Sequence, residues 1–184
     1  PSPTPVPEPT AVPFIYWNMD ENSGSTINDS VGSNDGTVSG TSWVTGHDNS
    51  GLGFNGLSSY VDCGAGSSIL GTGAFSITGW IKTGSTNGVI IQQRSAVAID
   101  GEYRLMVDGN GKIEWFAYDV AQGYGFYLTS PSAVNDGAWH HIVALRASDG
   151  SGEVYIDGVL DISGGGIANV MSSINVYIGS DKRD

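Results

Sequence analysis

Asp136-Gly-Ala-Trp-His-His-Ile-Val-Ala-Leu-Arg146, followed by Gly152-Glu-Val-Tyr-Ile-Asp-Gly-Val-Leu160, decides the fold. Trp139, His141, Val143 and Leu145 share one parity. Val154 and Ile156 share a parity in the second run, and Asp157-Gly158 follows as a two-residue turn. Alternation of this kind predicts two strands joined by a polar loop, then a tight hairpin. By parity, His141 falls with Trp139 and Val143 and is expected to be a hydrogen-bonded core histidine.

Working outward, the same pattern recurs. Short apolar runs separated by Gly, Asn, Asp and Ser predict strands over Phe14–Asp20, Thr37–Ser39, Gly53–Asn55, Tyr60–Cys63, Phe75–Lys82, Val89–Gln93 and Glu102–Asp108. Further strands follow over Lys112–Tyr118, Tyr124–Leu128, Trp139–Arg146, Gly152–Ile156, Val159–Asp161 and Ile174–Gly179. Val107-Asp-Gly-Asn-Gly-Lys112 is a second clear hairpin turn. With 28 glycines and only 14% charged residues, and no sustained 3.6-residue period, the chain reads as all-β. The expected architecture is a two-sheet antiparallel jelly-roll β-sandwich occupying residues 14–184. Residues 1–13 hold all but one of the prolines and predict an extended polyproline linker.

Several segments in order resemble the laminin-G-like, concanavalin A-like lectin/glucanase jelly-roll family. Tyr16-Trp-Asn-Met-Asp20 is similar to the family's opening strand, and Asp29–Gly36 to the loop after it. Gly53-Phe-Asn-Gly-Leu-Ser-Ser-Tyr-Val61, Phe75–Lys82, the Asp136–Leu160 signature and Val176-Tyr-Ile-Gly-Ser180 continue the series. The resemblance implies an extracellular or cell-surface module. It also implies a last strand beside the first, which is not found before Asp184. An open sheet edge is therefore expected near Phe14–Met19, fit for β-augmentation by another segment or subunit.

The charge balance, 19 acidic against 7 basic residues and a net charge of −12, excludes nucleic acid as a partner, because phosphates need a basic patch. No apolar run is long enough to span a bilayer as a helix. The one cysteine, Cys63, excludes an internal disulfide and is expected to be buried.

Three constellations bear on function. Catalysis is not expected: the glucanase relatives need facing carboxylates on one strand, and no Glu-x-Asp-x-Glu run occurs, nor a nucleophile elbow. Calcium is the second. Asp29, Asn34 and Asp35 lie in a Gly-rich loop with Asp20 at the end of the preceding run, an oxygen set that suits structural Ca²⁺; the same residues also suit Asx-turns without metal.

The third is carbohydrate. Phe75, Ile77 and Ile81 are expected to face the core, as are Tyr103, Leu105, Val107, Ile113 and Trp115. That leaves Trp80, Arg104, Glu114, Phe116 and Tyr118 outward. With Gln92 and His140 they are expected to form one outer sheet surface, rimmed by Tyr124 and Tyr127, where rings and polar groups meet a sugar. The reading is a non-catalytic extracellular recognition or adhesion module with glycan, or another surface protein, as ligand. The alternative is a structural subunit of a surface layer or filament.

Overall fold

The computed structural model describes residues 13–67, 73–94, 101–119, 123–166 and 174–182. Most of the expected linker, residues 1–12, lies outside them. Fourteen strands run in chain order: β1 Thr26–Ile27, β2 Gly36–Ser39, β3 Ser42–Thr45, β4 Ser50–Gly53, β5 Tyr60–Asp62, β6 Phe75–Lys82 and β7 Gly88–Gln93. Then come β8 Glu102–Val107, β9 Lys112–Asp119, β10 Tyr124–Ala133, β11 Trp139–Arg146, β12 Gly152–Ile156, β13 Val159–Gly164 and β14 Val176–Ile178. Among the described residues the only helical element is a 3₁₀ turn at Ala65–Ser67. The all-β expectation is met.

An eight-stranded antiparallel sheet has the order β1-β2-β5-β14-β7-β8-β9-β10. A four-stranded sheet, β13-β12-β11-β6, packs against it, and β3 and β4 form a separate hairpin. Alternating apolar residues put one face of each strand into the space between. Tyr103, Leu105, Ile113, Trp115, Phe126, Ile142 and Val154 build the larger core, between β7–β10 and the four-stranded sheet. Ile27, Val61, Val176 and Ile178 build a smaller one, covered by Trp17, Met19, Trp43 and Leu52 rather than by a full sheet. Ile91 packs against both clusters and joins them. Cys63 is buried in the smaller core, where burial and then Asp62 push its thiol up to about 12.

The hairpin between β12 and β13 turns on Asp157 (φ 53°) and Gly158 (φ 80°), both left-handed, the pair that a two-residue turn between twisted strands needs. After β14, Gly179 (φ 78°) turns the chain back; a Cβ there would stand 2.2 Å from the Phe54 ring. The turn sends Ser180–Lys182 across the outer side of the eight-stranded sheet.

Three expectations are corrected. Phe14–Asp20 is not a strand: it makes one isolated bridge, Trp17 to Asp29, and the Tyr16 carbonyl accepts from Ser30 N at 2.8 Å. The edge expected at Phe14–Met19 is thus partly tied down. The four-stranded sheet has two edges with no hydrogen-bonded strand on the far side, among the described residues: β13 and the longer β6. Second, the parity of β11 is reversed: Ile142, Ala144 and Arg146 are buried, whereas His141 faces outward. The cause is Arg146. Burial lowers its pKa, and its Nη1 donates to the Gly73 carbonyl at 2.9 Å, so a polar residue holds a core position while Val143 and Leu145 lie outside. Third, the strand expected at Gly53–Asn55 is Ser50–Gly53, paired with an unforeseen partner, Ser42–Thr45.

Candidate functional site

Register across the eight-stranded sheet places one residue from each of seven strands, β2 to β10 in sheet order, in a single row on its outer face. Thr37 pairs Asp62, Asp62 pairs Tyr177, Tyr177 pairs Gln92, Gln92 pairs Arg104, Arg104 pairs Phe116, and Phe116 pairs Tyr127. Directly opposed residues in an antiparallel sheet share a face, so these seven side chains stand side by side. Four of the sequence-predicted residues, Gln92, Arg104, Phe116 and Tyr127, lie in this row. Glu114 and Tyr118 flank Phe116 two residues away on β9.

The rings are ordered. Phe116 and Tyr118 lie nearly parallel, centroids 6.1 Å apart, and Tyr127 meets Phe116 edge-on at 6.1 Å. Tyr127 is 58% exposed and offers a ring to solvent. Arg94 spreads its guanidinium 5.7 Å from the Phe116 centroid. Charges between the rings are paired. Arg104 Nη2 donates to Glu114 Oε1 at 2.7 Å, and Tyr127 donates its hydroxyl proton to Glu114 Oε2. That bond, together with desolvation, raises the Tyr127 pKa. Arg94 Nε donates to Glu102 Oε2 at 3.2 Å, and its Nη1 lies 3.5 Å from Asp181.

The Ser180–Lys182 segment straps the middle of the row. The Gln92 amide nitrogen donates to the Lys182 carbonyl. Lys182 Nζ lies 4.5 Å from the Tyr60 ring centroid and 4.9 Å from that of Tyr177. Gln92 and Tyr177 are consequently buried although they sit on an outer face. Arg94 shares the parity of Gln92 on its strand, so alternation had the signal to find it. Asp181 and Lys182 carry no pattern that reveals a strap.

Two predicted members stand elsewhere. Trp80 and His140 belong to the four-stranded sheet, not to the surface of Arg104 and Phe116. Trp80 faces outward on β6, as expected, but His47 stacks on it at 3.6 Å and 9°, and His141 lies 5.1 Å away. His141 Nε2 shares a hydrogen bond with Thr78 Oγ1 at 2.9 Å. His140 takes the parity of Ile142 at the end of β11. There it bridges two loops, Nδ1 to Asp157 at 2.8 Å and Nε2 to Asp136 at 3.1 Å. The Asp157 bond, helped by Asp136, raises the His140 pKa against partial desolvation. For Tyr124 only the backbone, paired with Asp119, is described.

The Asp29 loop holds three of the four residues considered for calcium. Asp29 Oδ1 accepts from the Tyr16 amide at 3.0 Å and the Val31 amide at 3.2 Å. Its Oδ2 accepts from Asn34 N and Asn34 Nδ2, each at 3.2 Å. Burial pushes the Asp29 carboxyl up, but these donors outweigh it and hold its pKa below the usual value. Asp35 Oδ1 accepts from the Asp29 amide at 2.9 Å. Asp20 is not in this cluster; it accepts from Asn49 in the β3–β4 turn and from the amide of Ser50 at the start of β4. Among the described residues no group of three or more His, Cys, Asp or Glu side chains is placed to hold a metal. The arrangement aims donors at the Asp29 carboxylate, the pattern of an Asx-type loop anchor.

With this geometry in hand, comparison with known proteins identifies the family. Residues 54–184 match the laminin G-like family described as the concanavalin A-like lectin/glucanases superfamily, and the chain belongs to it. Among solved structures, the binding domain of Paraclostridial Mosquitocidal Protein 1 is similar at TM-score 0.67 and 12% identity, over 88% of this chain and 43% of that one. Domain 4 of AbnA, an extracellular GH43 arabinanase from Geobacillus stearothermophilus solved with arabinotriose, aligns at TM-score 0.65 and 19% identity, over 85% of this chain and 79% of its own. The receptor binding domain of botulinum neurotoxin D aligns at TM-score 0.66 and 18% identity, over 93% and 45%. The chain thus spans less than half the length of the two toxin chains. At these identities the likeness is one of fold.

Proposed function

We propose that this member of the concanavalin A-like superfamily is a non-catalytic recognition module of an extracellular or cell-surface protein, and that it binds glycan on the outer face of its eight-stranded sheet. The observation that carries the reading is the Phe116–Tyr118–Tyr127 cluster set among paired guanidinium and carboxylate groups. Rings stack on the C–H faces of sugars, and fixed polar groups read hydroxyls. The similar folds of an arabinanase domain crystallised with arabinotriose and of toxin binding domains support it.

Spacing argues against Glu102 and Glu114 as a glycoside-hydrolase carboxylate pair. Glu102 stands opposite Tyr118, and Glu114 lies four residues along β9. Four residues of strand are about 13 Å. The carboxylates of a retaining or inverting hydrolase stand roughly 5–9.5 Å apart. Both glutamates are also committed to arginines.

A glycan array, followed by titration of the hits, tests the proposal. Binding is expected for the parent chain and for Trp80→Ala, and is expected to vanish for the double variant Phe116→Ala, Tyr118→Ala. An array without hits, or a double variant that still binds, removes it.

The alternative, an assembly unit completed by a strand from another segment or subunit, draws support from β6, an eight-residue strand paired only with β11 among the described residues. Concentration-dependent oligomers in sedimentation, abolished by Gly79→Pro on β6, would favour it; a monomer at all concentrations would dismiss it.

A further inference from the structure

The row across the eight-stranded sheet contains two polar atoms that are buried and have no partner: Gln92 Oε1 and Arg104 Nε. Gln92 and Arg104 are directly opposite each other on β7 and β8. The remaining polar atoms of both side chains are engaged. The Gln92 amide nitrogen serves the Lys182 carbonyl. The Arg104 Nη atoms serve Glu114 at 2.7 Å and face Asp181 at 4.0 Å. An acceptor and a donor carried by directly paired residues are therefore both unsatisfied, in a folded chain where buried polar groups are nearly always paired.

We infer that this pair is a hydroxyl-recognition subsite and that the face selects neutral rather than acidic glycans. The inference rests on the reading of this face as a glycan surface and narrows it. One group that both donates and accepts satisfies both atoms, and a sugar hydroxyl is such a group. A carboxylate or sulfate only accepts, so it leaves Gln92 Oε1 unpaired. An ammonium only donates, and leaves Arg104 Nε unpaired.

Charge points the same way. Among the described residues the cations of the face are Arg94, Arg104, Lys182 and, at the start of β9 beside Asp108, Lys112. Arg94 is held by Glu102 and Asp181, Arg104 by Glu114, and Lys182 by the Tyr60 and Tyr177 rings. An acidic sugar would have to displace an internal carboxylate while approaching a chain of net charge −12. A neutral sugar does neither. The Ser180–Lys182 strap shelters the two atoms, so occupancy requires it to shift. What the strap gives up is the neutral hydrogen bond at Gln92, the Lys182 contacts with the Tyr60 and Tyr177 rings and the long Asp181 contacts with Arg94 and Arg104, while Glu102 and Glu114 keep both guanidinium groups paired.

The experiment titrates the intact chain with neutral pentose and hexose oligosaccharides, arabinotriose among them, and with sialylated, uronic-acid and sulfated oligosaccharides, at low and high salt. Neutral probes are expected to bind with affinities that salt changes less than about twofold, and acidic ones not to bind. Gln92→Met, which keeps volume and removes the acceptor, and Arg104→Lys, which keeps charge toward Glu114 and removes Nε, are each expected to weaken binding about tenfold. Where Gln92→Met does not fold, Arg104→Lys decides. Unchanged affinity in the folded variants assigns the pair to a structural water and overturns the inference. Acidic probes that bind and are weakened by salt overturn the selectivity while the glycan face stands. If no glycan of either kind binds, both readings fall together.

Discussion

The Asp29 loop and the outer face of the eight-stranded sheet both collect polar groups, and they spend them differently. In the loop, four donors converge on one carboxylate and fill both of its oxygens. On the sheet, rigid strands hold guanidinium and carboxylate groups in pairs yet leave Gln92 Oε1 and Arg104 Nε open. A saturated cluster fastens chain to chain. An unsaturated one, held by a frame that cannot relax to close it, is available to something else. The lesson is that density of Asp and Asn in a sequence does not reveal a site; unspent valence does.

The sharpest way to break this contrast is at Asp29. Asp29→Ala strands the Tyr16, Val31 and Asn34 amides and should cost about 2–4 kcal/mol of stability, measured by urea unfolding. Calcium should not stabilise the parent chain, and chelator should leave its melting temperature within about a degree, because a ligand that binds only the native state would raise it. A clear calcium-dependent rise would show that the loop opens its donors to a cation.

The sheet face should respond in the opposite currency. Phe116→Ala with Tyr118→Ala should weaken glycan binding about 10–100-fold, as losing stacked anchors does. Both rings lie on the outer side of a strand whose inner side, Ile113, Trp115 and Ala117, carries the core, so calorimetry should find the fold intact. A large fall in melting temperature would mean that these rings fasten the sheet rather than serve a ligand. Glu114→Gln should do less, about three- to tenfold in affinity, since it loosens Arg104 and Tyr127 without removing either.

Much of this surface was legible. Alternation on β8 and β9 separated Tyr103, Leu105 and Trp115 from Arg104, Glu114 and Phe116 because Tyr103, Leu105, Val107, Ile113, Trp115 and Ala117 fill one parity while Glu102, Arg104, Lys112 and Glu114 fall on the other. It misled on β11, where apolar Val143 and Leu145 lie outward and Arg146 inward; a buried arginine defeats any hydrophobicity count. Parity also tells inside from outside but not which sheet. Trp80 and Arg104 are both outward, on opposite sides of the molecule, and strand order resides in long-range pairing that no local window contains. The strap was illegible for the same reason: Asp181 and Lys182 matter through Arg94, Gln92 and Tyr60, up to 122 residues distant.

His140 tests an intermediate case, a cluster whose saturation depends on pH. Its two ring nitrogens face Asp157 at 2.8 Å and Asp136 at 3.1 Å. A neutral imidazole can donate through only one nitrogen, so the other would turn its lone pair on a carboxylate. The geometry therefore favours the imidazolium, and the His140 pKa is raised, first by Asp157 and then by Asp136. The lowered pKa of Asp157 is the same interaction counted from its other end; the lowering at Asp136 owes most to the Ala138 amide, with His140 second. The sign follows by linkage. A raised histidine pKa gives stability that is full below its unfolded value near 6.5 and is lost as pH climbs through the folded value. On the acid side the lowered carboxylates lose their share as pH falls below about 3.8. The chain should thus be most stable between roughly pH 4 and 6.5, and its melting temperature should drop by on the order of a few degrees toward pH 8. His47 and His141, which face Trp80, are the chain's other two histidines, so the assignment needs His140→Gln. That variant keeps a donor toward one carboxylate and should flatten the slope above pH 6.5 while His47→Gln does not. A slope that survives His140→Gln would move the pH dependence to the Trp80 face.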